Sequence, residues 1–472
     1  MIVADRIINQ SHTLLVGPLT TAWEFNLLPP TYYYIIAALL AVTGSELGIT
    51  VAFTAASTVS IILIYYFTKH IFDTKTGLVA AFIWAFSTEM IWYGRNFWEP
   101  HLVPFFMVIS LIALVKAEKT NRFVWLLLSH IAFAASFVYV SPVLLLPGYL
   151  WLVFTIGAKL GNRALWGIIS VVTTIMILAV FYLPVYIFEA SHEFPSVTAL
   201  TTVSGSTSGG AYLNISIKSF TGSVIAHIWI FLQSLGLSPL ILTIILFAVT
   251  FWEISKTYII VKHRQWLTRL IVCMVVAFLF TGIYGREPQV FRMASLYPII
   301  IPLLAFIMTA ILSQLRFHRK HLNFSVVAVT ILTFMFMRNN ATDYANIVQA
   351  NDYYHYTEIL QITRYIKNQS IRVPFTIYSI TPIEKSNHHG SRYFWTLEKL
   401  TGLRYAKLNT RGNWIEQSLN KNVSKIFLVC SEFNNREDIL NKCLEYFLNQ
   451  QDLPQPVAVK EFSDSIVYTI LQ

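Results

Sequence analysis

Residues 95–101 read Arg95-Asn96-Phe97-Trp98-Glu99-Pro100-His101, a guanidinium, a carboxylate and an imidazole within one short string. A guanidinium can hold an anion, and a carboxylate and an imidazole can each exchange a proton. The string lies between two apolar stretches, 76–93 and 101–115, so these groups stand where the chain leaves a membrane. Charged groups beside bilayer spans are costly and mark function.

The elements that must position the string are membrane spans. Of 472 residues, 55% are hydrophobic and only 12% charged, and the mean hydropathy is +0.57; a soluble chain carries about 25% charged residues. Apolar runs long enough to cross a bilayer recur at 47–68, 76–93, 101–117, 122–140, 141–158, 164–187, 237–255, 265–284, 295–315 and 321–338. The runs 122–140 and 141–158 count as two because Ser141-Pro142 falls where a turn is needed.

Lys and Arg set the orientation. Lys69 and Lys75, then Lys116, Lys119 and Arg122, then Lys159 and Arg163, then Lys256, Lys262, Arg264 and Arg269, then Arg316, Arg319 and Lys320 fall at every second connection, which places those connections in the cytoplasm. Residues 94–100, 188–236 and 285–294 and the tail after 338 are then extracytoplasmic. The formal charge of +10 reflects this topology rather than nucleic-acid binding. The same count puts residues 1–46 outside, and an N-terminal helix upstream of them is expected. Within 1–46, Pro29-Pro30-Thr31-Tyr32-Tyr33-Tyr34 leads into the short apolar stretch Ile35–Val42, read as an interfacial helix with its tyrosines at headgroup depth. Residues 188–236 open with Phe188-Glu189-Ala190-Ser191-His192-Glu193-Phe194 and turn Ser/Thr/Gly-rich, the composition of a mobile lid or a plain linker. A second interfacial helix is expected at 219–235.

After Arg338 polar residues spread throughout. Strand-length apolar runs appear at Phe375–Tyr378, Lys425–Cys430 and Ser465–Ile470, and helical patterns at 354–367 and 435–448. Residues 1–338 therefore form a membrane domain and 339–472 a small extracytoplasmic α/β domain. Cys273 sits in a span, while Cys430 and Cys443 leave a disulfide open in the tail. Walker, GxGxxG, HExxH and CxxC patterns are lacking, so nucleotide, dinucleotide and zinc chemistry have no support. Sequons at Asn214, Asn340, Asn368 and Asn422 matter only in a host that glycosylates.

Five features occur in order: Gly17-Pro18, the Pro-Pro-Thr-Tyr-Tyr-Tyr run, the Arg95–His101 string, Phe188-Glu189…His192…Phe194, and Arg292…Tyr297-Pro298…Pro302. In this the chain resembles polytopic glycosyltransferases of the GT-C superfamily, near the protein mannosyltransferase and aminoarabinose transferase group of glycosyltransferase family 39, over residues 1–315. The resemblance implies an α-helical polytopic membrane protein of about ten transmembrane helices. It also implies an inverting transferase that passes a sugar from a polyprenyl-phosphate donor to a glycan, lipid or protein acceptor at the extracytoplasmic face. Such a step needs a carboxylate to deprotonate or orient the acceptor hydroxyl, and cations or a metal to stabilise the departing phosphate.

On that resemblance Glu99 is the acid/base candidate and, if a divalent metal takes part, its ligand. Asp5, the only Asp or Glu before Gly17, is the second catalytic candidate, standing closer to the Gly-Pro motif than the family's principal acid does. Arg95 leads for the donor phosphate because its fixed fork matches phosphate oxygens; Arg286 and Arg292 follow. His101, Glu189, His192 and Tyr33 are the remaining substrate-binding candidates. Two rival classes stay open. A transporter would show internal repeats or charged groups at mid-span, neither of which is evident. A non-catalytic relative binding lipid-linked sugar would fit the lack of an acid just upstream of Gly17.

Overall fold

Helix boundaries in the membrane unit are written by capping residues. Ser45 accepts from Gly48 N–H and opens α3 (Glu46–Ile71); Asp73 does the same for Thr76 N–H at the start of α4 (Thr74–Phe86). Upstream, α1 spans Ile2–Gln10 and α2 spans Thr31–Thr43, closed by Gly44 at φ 67° with its N–H on Leu40 C=O. Asn121, at φ 52°, closes α6 (Val103–Thr120) in the same left-handed manner. The computed structural model describes residues 2–10, 13–17, 28–95, 97–139, 141–161, 164–195, 221–226, 228, 258–284, 290–317, 356–369, 375–380, 425–431, 455–461 and 465–471.

The remaining helices are α5 (Thr88–Arg95), α7 (Phe123–Ala135), α8 (Pro142–Leu160), α9 (Ala164–Ser191), α10 (Tyr258–Tyr284), α11 (Tyr297–Phe317) and α12 (Tyr356–Gln369). Short 3-10 turns at Glu99–Leu102, Ser136–Val138 and Val290–Leu296 precede α6, follow α7 and precede α11. Two compact units result, one of Val3–Ala345 and one of Asn346–Gln472 together with Met1–Ile2.

Five stretches among the described residues are long and apolar enough to cross a membrane: Leu47–Ile71, Glu99–Thr120, Pro142–Leu160, Ala164–Ser191 and Met293–Ala310. The chain is an integral membrane protein. The expected span 76–93 is instead two helices, α4 and α5, because Ser87 adopts an extended ψ of 125° between them. Ser and Thr compete poorly for helix interiors, and Ser87-Thr88-Glu89 is a helix start rather than a continuation. The expected span 265–284 begins earlier, at Tyr258, so that Lys262, Arg264 and Arg269 are helical rather than in a connection. The expected spans 237–255 and 321–338 lie outside the described residues, as do most of the interfacial helix at 219–235 and the helix at 435–448.

α6 is the central helix, packed against α3, α7 and α8, while α9 presents Ile168, Val172, Ile175, Met176, Val180 and Leu183 outward as an apolar face. Apolar exposure of this kind suits lipid. A buried polar network joins the centre of α6–α9. Ser110 donates to Ser129 C=O at 3.0 Å, the Ser129 and Tyr149 hydroxyls pair at 2.8 Å, and His130 Nδ1 lies 3.2 Å from Tyr149 and 3.1 Å from Thr174 Oγ1. The Tyr149 ring stacks on Phe133 at 3.7 Å. With lipid tails as apolar as the helices, such interhelical bonds supply packing specificity.

At the Lys-rich end, Glu118 of α6 accepts from Lys159 of α8 at 2.7 Å and from Arg269 of α10 at 2.8 Å. Arg269 is buried and covers the Trp266 ring at 5.0 Å, and Trp266 meets Phe67 of α3 edge-on. The second unit contains α12 and a four-stranded sheet of order β1-β2-β4-β3, from β1 (Phe375–Ile380), β2 (Lys425–Ser431), β3 (Ala458–Glu461) and β4 (Ser465–Leu471). β1 and β2 are parallel, with Phe375 opposite Lys425; β4 runs antiparallel to both β2 and β3. The strand β3, exposed along its length, was not expected, since Ala-Val-Lys-Glu offers no buried face to read.

Candidate active site at the Arg95 to His101 string

α5 delivers the string. Its last turn is pressed on α3, where a Cβ at Gly94 would stand 3.0 Å from Ser57 Cβ and Oγ. Two α3 hydroxyls donate into the turn, Ser57 Oγ to Met90 C=O at 3.2 Å and Thr54 Oγ1 to Gly94 C=O at 2.6 Å. Helix ends leave their last four carbonyls without intrahelical partners, and Thr54 meets that need at Gly94. The chain then extends through Trp98 (φ −118°, ψ 152°), and Pro100 starts the tight turn Glu99–Leu102, with His101 N–H on Trp98 C=O at 3.1 Å. The turn feeds directly into α6.

His101 is buried, stacked on Tyr93 at 4.6 Å and met edge-on by Trp98 at 5.7 Å. Tyr93 in turn meets Tyr297 edge-on at 6.1 Å, and Tyr297 begins α11 directly after the turn that carries Arg292. The Glu99–Leu102 turn also packs against the turns Ser136–Val138 and Val290–Leu296. On the opposite flank, Tyr32 of α2 donates to Phe97 C=O at 2.8 Å, and the Phe97 ring lies against Phe53 of α3. Burial first, and then the Glu99 charge, push the Tyr33 hydroxyl up to about 12 and raise that of Tyr32 as well. Glu99 is thus near enough to the first turn of α2 for its charge to act on both hydroxyls.

Gly17 joins the same neighbourhood. Gly17 N–H donates to Leu28 C=O at 2.7 Å, and a Cβ there would come within 2.4 Å of Pro29 O, so only glycine fits this approach. Tyr34 Oη meets Leu14 N–H at 3.1 Å and Leu14 C=O at 3.2 Å. Residues 13–17 are thereby held along the start of α2.

The expected residues fare differently. Glu99, His101, Tyr33 and the backbone of Arg95 and Arg292 belong to elements that converge here; the side chains of Arg95 and Arg292 lie outside the description. Arg286 lies outside the described residues, and Asp5 is placed only as a member of α1. Glu189 is buried near the end of α9. His192 turns back on its own helix end, stacked on Phe188 at 4.2 Å with Nδ1 2.8 Å from Phe188 O. α9 closes there through Glu193 and Phe194 at φ 61° and 54°, with Phe194 N–H on Glu189 C=O at 2.7 Å. Among the described residues no group of three or more His, Cys, Asp or Glu side chains is placed to hold a metal ion. Tyr32, Thr54 and Tyr93 were not singled out from sequence, although Tyr32 stands inside a motif that was.

The fold is shared with solved structures of ArnT. The structure is similar to that of ArnT from Cupriavidus metallidurans in the apo state, with a TM-score of 0.57 and 10% identity over 99% of this chain and 91% of that one. It is similar also to ArnT from the same organism bound to undecaprenyl phosphate, with a TM-score of 0.58 and 11% identity over 99% and 92%. Residues 28–188, from the Pro-Pro-Thr-Tyr-Tyr-Tyr run to the end of α9, match the family model of dolichyl-phosphate-mannose-protein mannosyltransferases. No curated protein matches the sequence.

Proposed function

We propose that the protein is an inverting glycosyltransferase that moves a sugar from a polyprenyl-phosphate donor to an acceptor at the extracytoplasmic membrane face. The observation that carries this reading is the convergence of the α2 motif, the Arg95–His101 string and the Val290–Leu296 turn on one end of the bundle. The fold shared with an undecaprenyl phosphate-bound ArnT supports a lipid-linked donor, and the match over residues 28–188 supports sugar transfer.

In this reading the Arg95 guanidinium holds the donor phosphate as it departs, with Arg292 and Arg286 as further cations. Glu99 takes the proton of the acceptor hydroxyl as that oxygen attacks the anomeric carbon from the face opposite the phosphate, which inverts it. It opens the short turn Glu99–Leu102 that leads into α6, which supports a fixed station for it. Tyr33 stays protonated at neutral pH and can donate to a substrate oxygen. His101, held between Tyr93 and Trp98, shapes the turn on which Glu99 stands. The 339–472 unit lies on the acceptor side of the membrane, and if a divalent ion assists, Glu99 is its ligand.

The test uses the full chain in detergent with radiolabelled undecaprenyl-phosphate-linked mannose, glucose, galactose and 4-amino-4-deoxyarabinose in turn. Release of undecaprenyl phosphate from one of them, dependent on added membrane acceptors, is the expected result. Binding of undecaprenyl phosphate with no release from any donor would instead favour a binding protein.

A further inference from the structure

Three hydroxyl groups from two different helices grip the backbone on both sides of Arg95. Ser57 and Thr54 of α3 reach the Met90 and Gly94 carbonyls, and Tyr32 of α2 reaches the Phe97 carbonyl, 65 residues away in the chain. The Thr54 proton is shared with Thr50 C=O at 2.9 Å, a bond internal to α3. Phe97 and Trp98 lie outside the helix that ends at Arg95, where backbone groups need partners from elsewhere. The Phe97 ring seated on Phe53 and the buried Tyr32 close the other degrees of freedom.

We infer that Tyr32 and Thr54 are positioning residues, which clamp the backbone at Gly94 and Phe97 so that the string presents Arg95 and Glu99 to donor and acceptor in a fixed register. This rests on the reading of the string as the site of transfer. The Thr54 bond to Gly94 is additional to the one it makes within its own helix, to Thr50. What the two hydroxyls add is a station for the two groups that a reaction would use, and small displacements of such groups are expensive in rate.

The experiment is a double-mutant cycle in the undecaprenyl phosphate release assay, with the donor that the wild type uses, on Tyr32→Phe, Thr54→Val, Thr54→Ser, Glu99→Gln and Tyr32→Phe/Glu99→Gln. Thermal midpoints are measured alongside. Loss of one ordinary hydrogen bond in the transition state corresponds to about a 10-fold effect. Tyr32→Phe and Thr54→Val are expected to lower kcat about that much, leave the donor KM within about 2-fold, and unfold at nearly the wild-type temperature; Thr54→Ser restores the rate. Because Tyr32 acts through the string, Tyr32→Phe costs clearly less on the residual rate of Glu99→Gln, where only Arg95 remains to be misplaced, than on the wild type. A Tyr32→Phe protein at the wild-type rate, or one losing the same factor with and without Glu99, overturns the clamp. A Glu99→Gln protein as fast as the wild type indicts the site itself, and a wild type without release removes the reaction and the role together.

Discussion

Glu99 and its neighbours show what single residues contribute and what they conceal. The string announced itself because Arg, Glu and His are rare in an apolar chain, and it does emerge between two helices as the composition demanded. Tyr32 did not announce itself. One tyrosine in a run of three looks like its neighbours until the partner, a backbone carbonyl 65 residues on, is known, and a backbone carbonyl leaves no mark in sequence. His192 stands at a loop entry, the position that suggested a substrate contact, and its ring folds onto Phe188, a local packing that the sequence did not indicate. A pH prediction belongs at this scale. The Tyr33 hydroxyl is raised to about 12 in the folded protein, against about 10 in an unfolded chain. The folded state therefore holds this proton more tightly, and the associated stability is present below pH 10 and lost as pH rises toward 12. Unfolding midpoints measured across that window should fall more steeply for the wild type than for Tyr33→Phe, with the two curves parallel below pH 9.

Elements were readable where periodicity or punctuation was strong. Ser141-Pro142 correctly divided α7 from α8, and the short Ile35–Val42 run is the body of α2. The division of 76–93 at Ser87 was missed because hydropathy averages over a window and is blind to one extended residue. The strand β3 was missed because an exposed four-residue edge has no apolar alternation. The Ser110, Ser129, Tyr149, His130 and Thr174 network was also invisible, since each of these residues is unremarkable within its own span and acquires a role only when four helices meet. It yields a prediction: Tyr149→Phe, which removes the hydroxyl but keeps the ring on Phe133, should destabilise the membrane unit by about 1 kcal/mol. Thermal unfolding in detergent checks this, and a loss above about 2 kcal/mol would mean that the network carries more than packing specificity.

The whole membrane unit is tied differently at its two ends. At the Lys-rich end a charged node, Glu118 with Lys159 and Arg269, joins α6, α8 and α10; at the other end hydroxyls and aromatic rings hold the string at Gly94, Phe97 and His101. Arg269 is buried, so Glu118→Ala strands a cation and should cost about 3 kcal/mol, while Glu118→Gln, which keeps a hydrogen-bond acceptor, should cost less. Denaturant unfolding of the purified protein distinguishes the two. The alternation of basic connections was read from the sequence, and one of those expected connections is in part helix, since Lys262, Arg264 and Arg269 lie within α10. The central claim concerns the string end, and single-turnover release of undecaprenyl phosphate by wild type and Glu99→Gln tests it most directly, with donor binding measured in parallel. The account predicts that Glu99→Gln binds the lipid-linked donor as the wild type does and releases undecaprenyl phosphate about 100-fold to 10,000-fold more slowly; equal release rates at equal binding would contradict it.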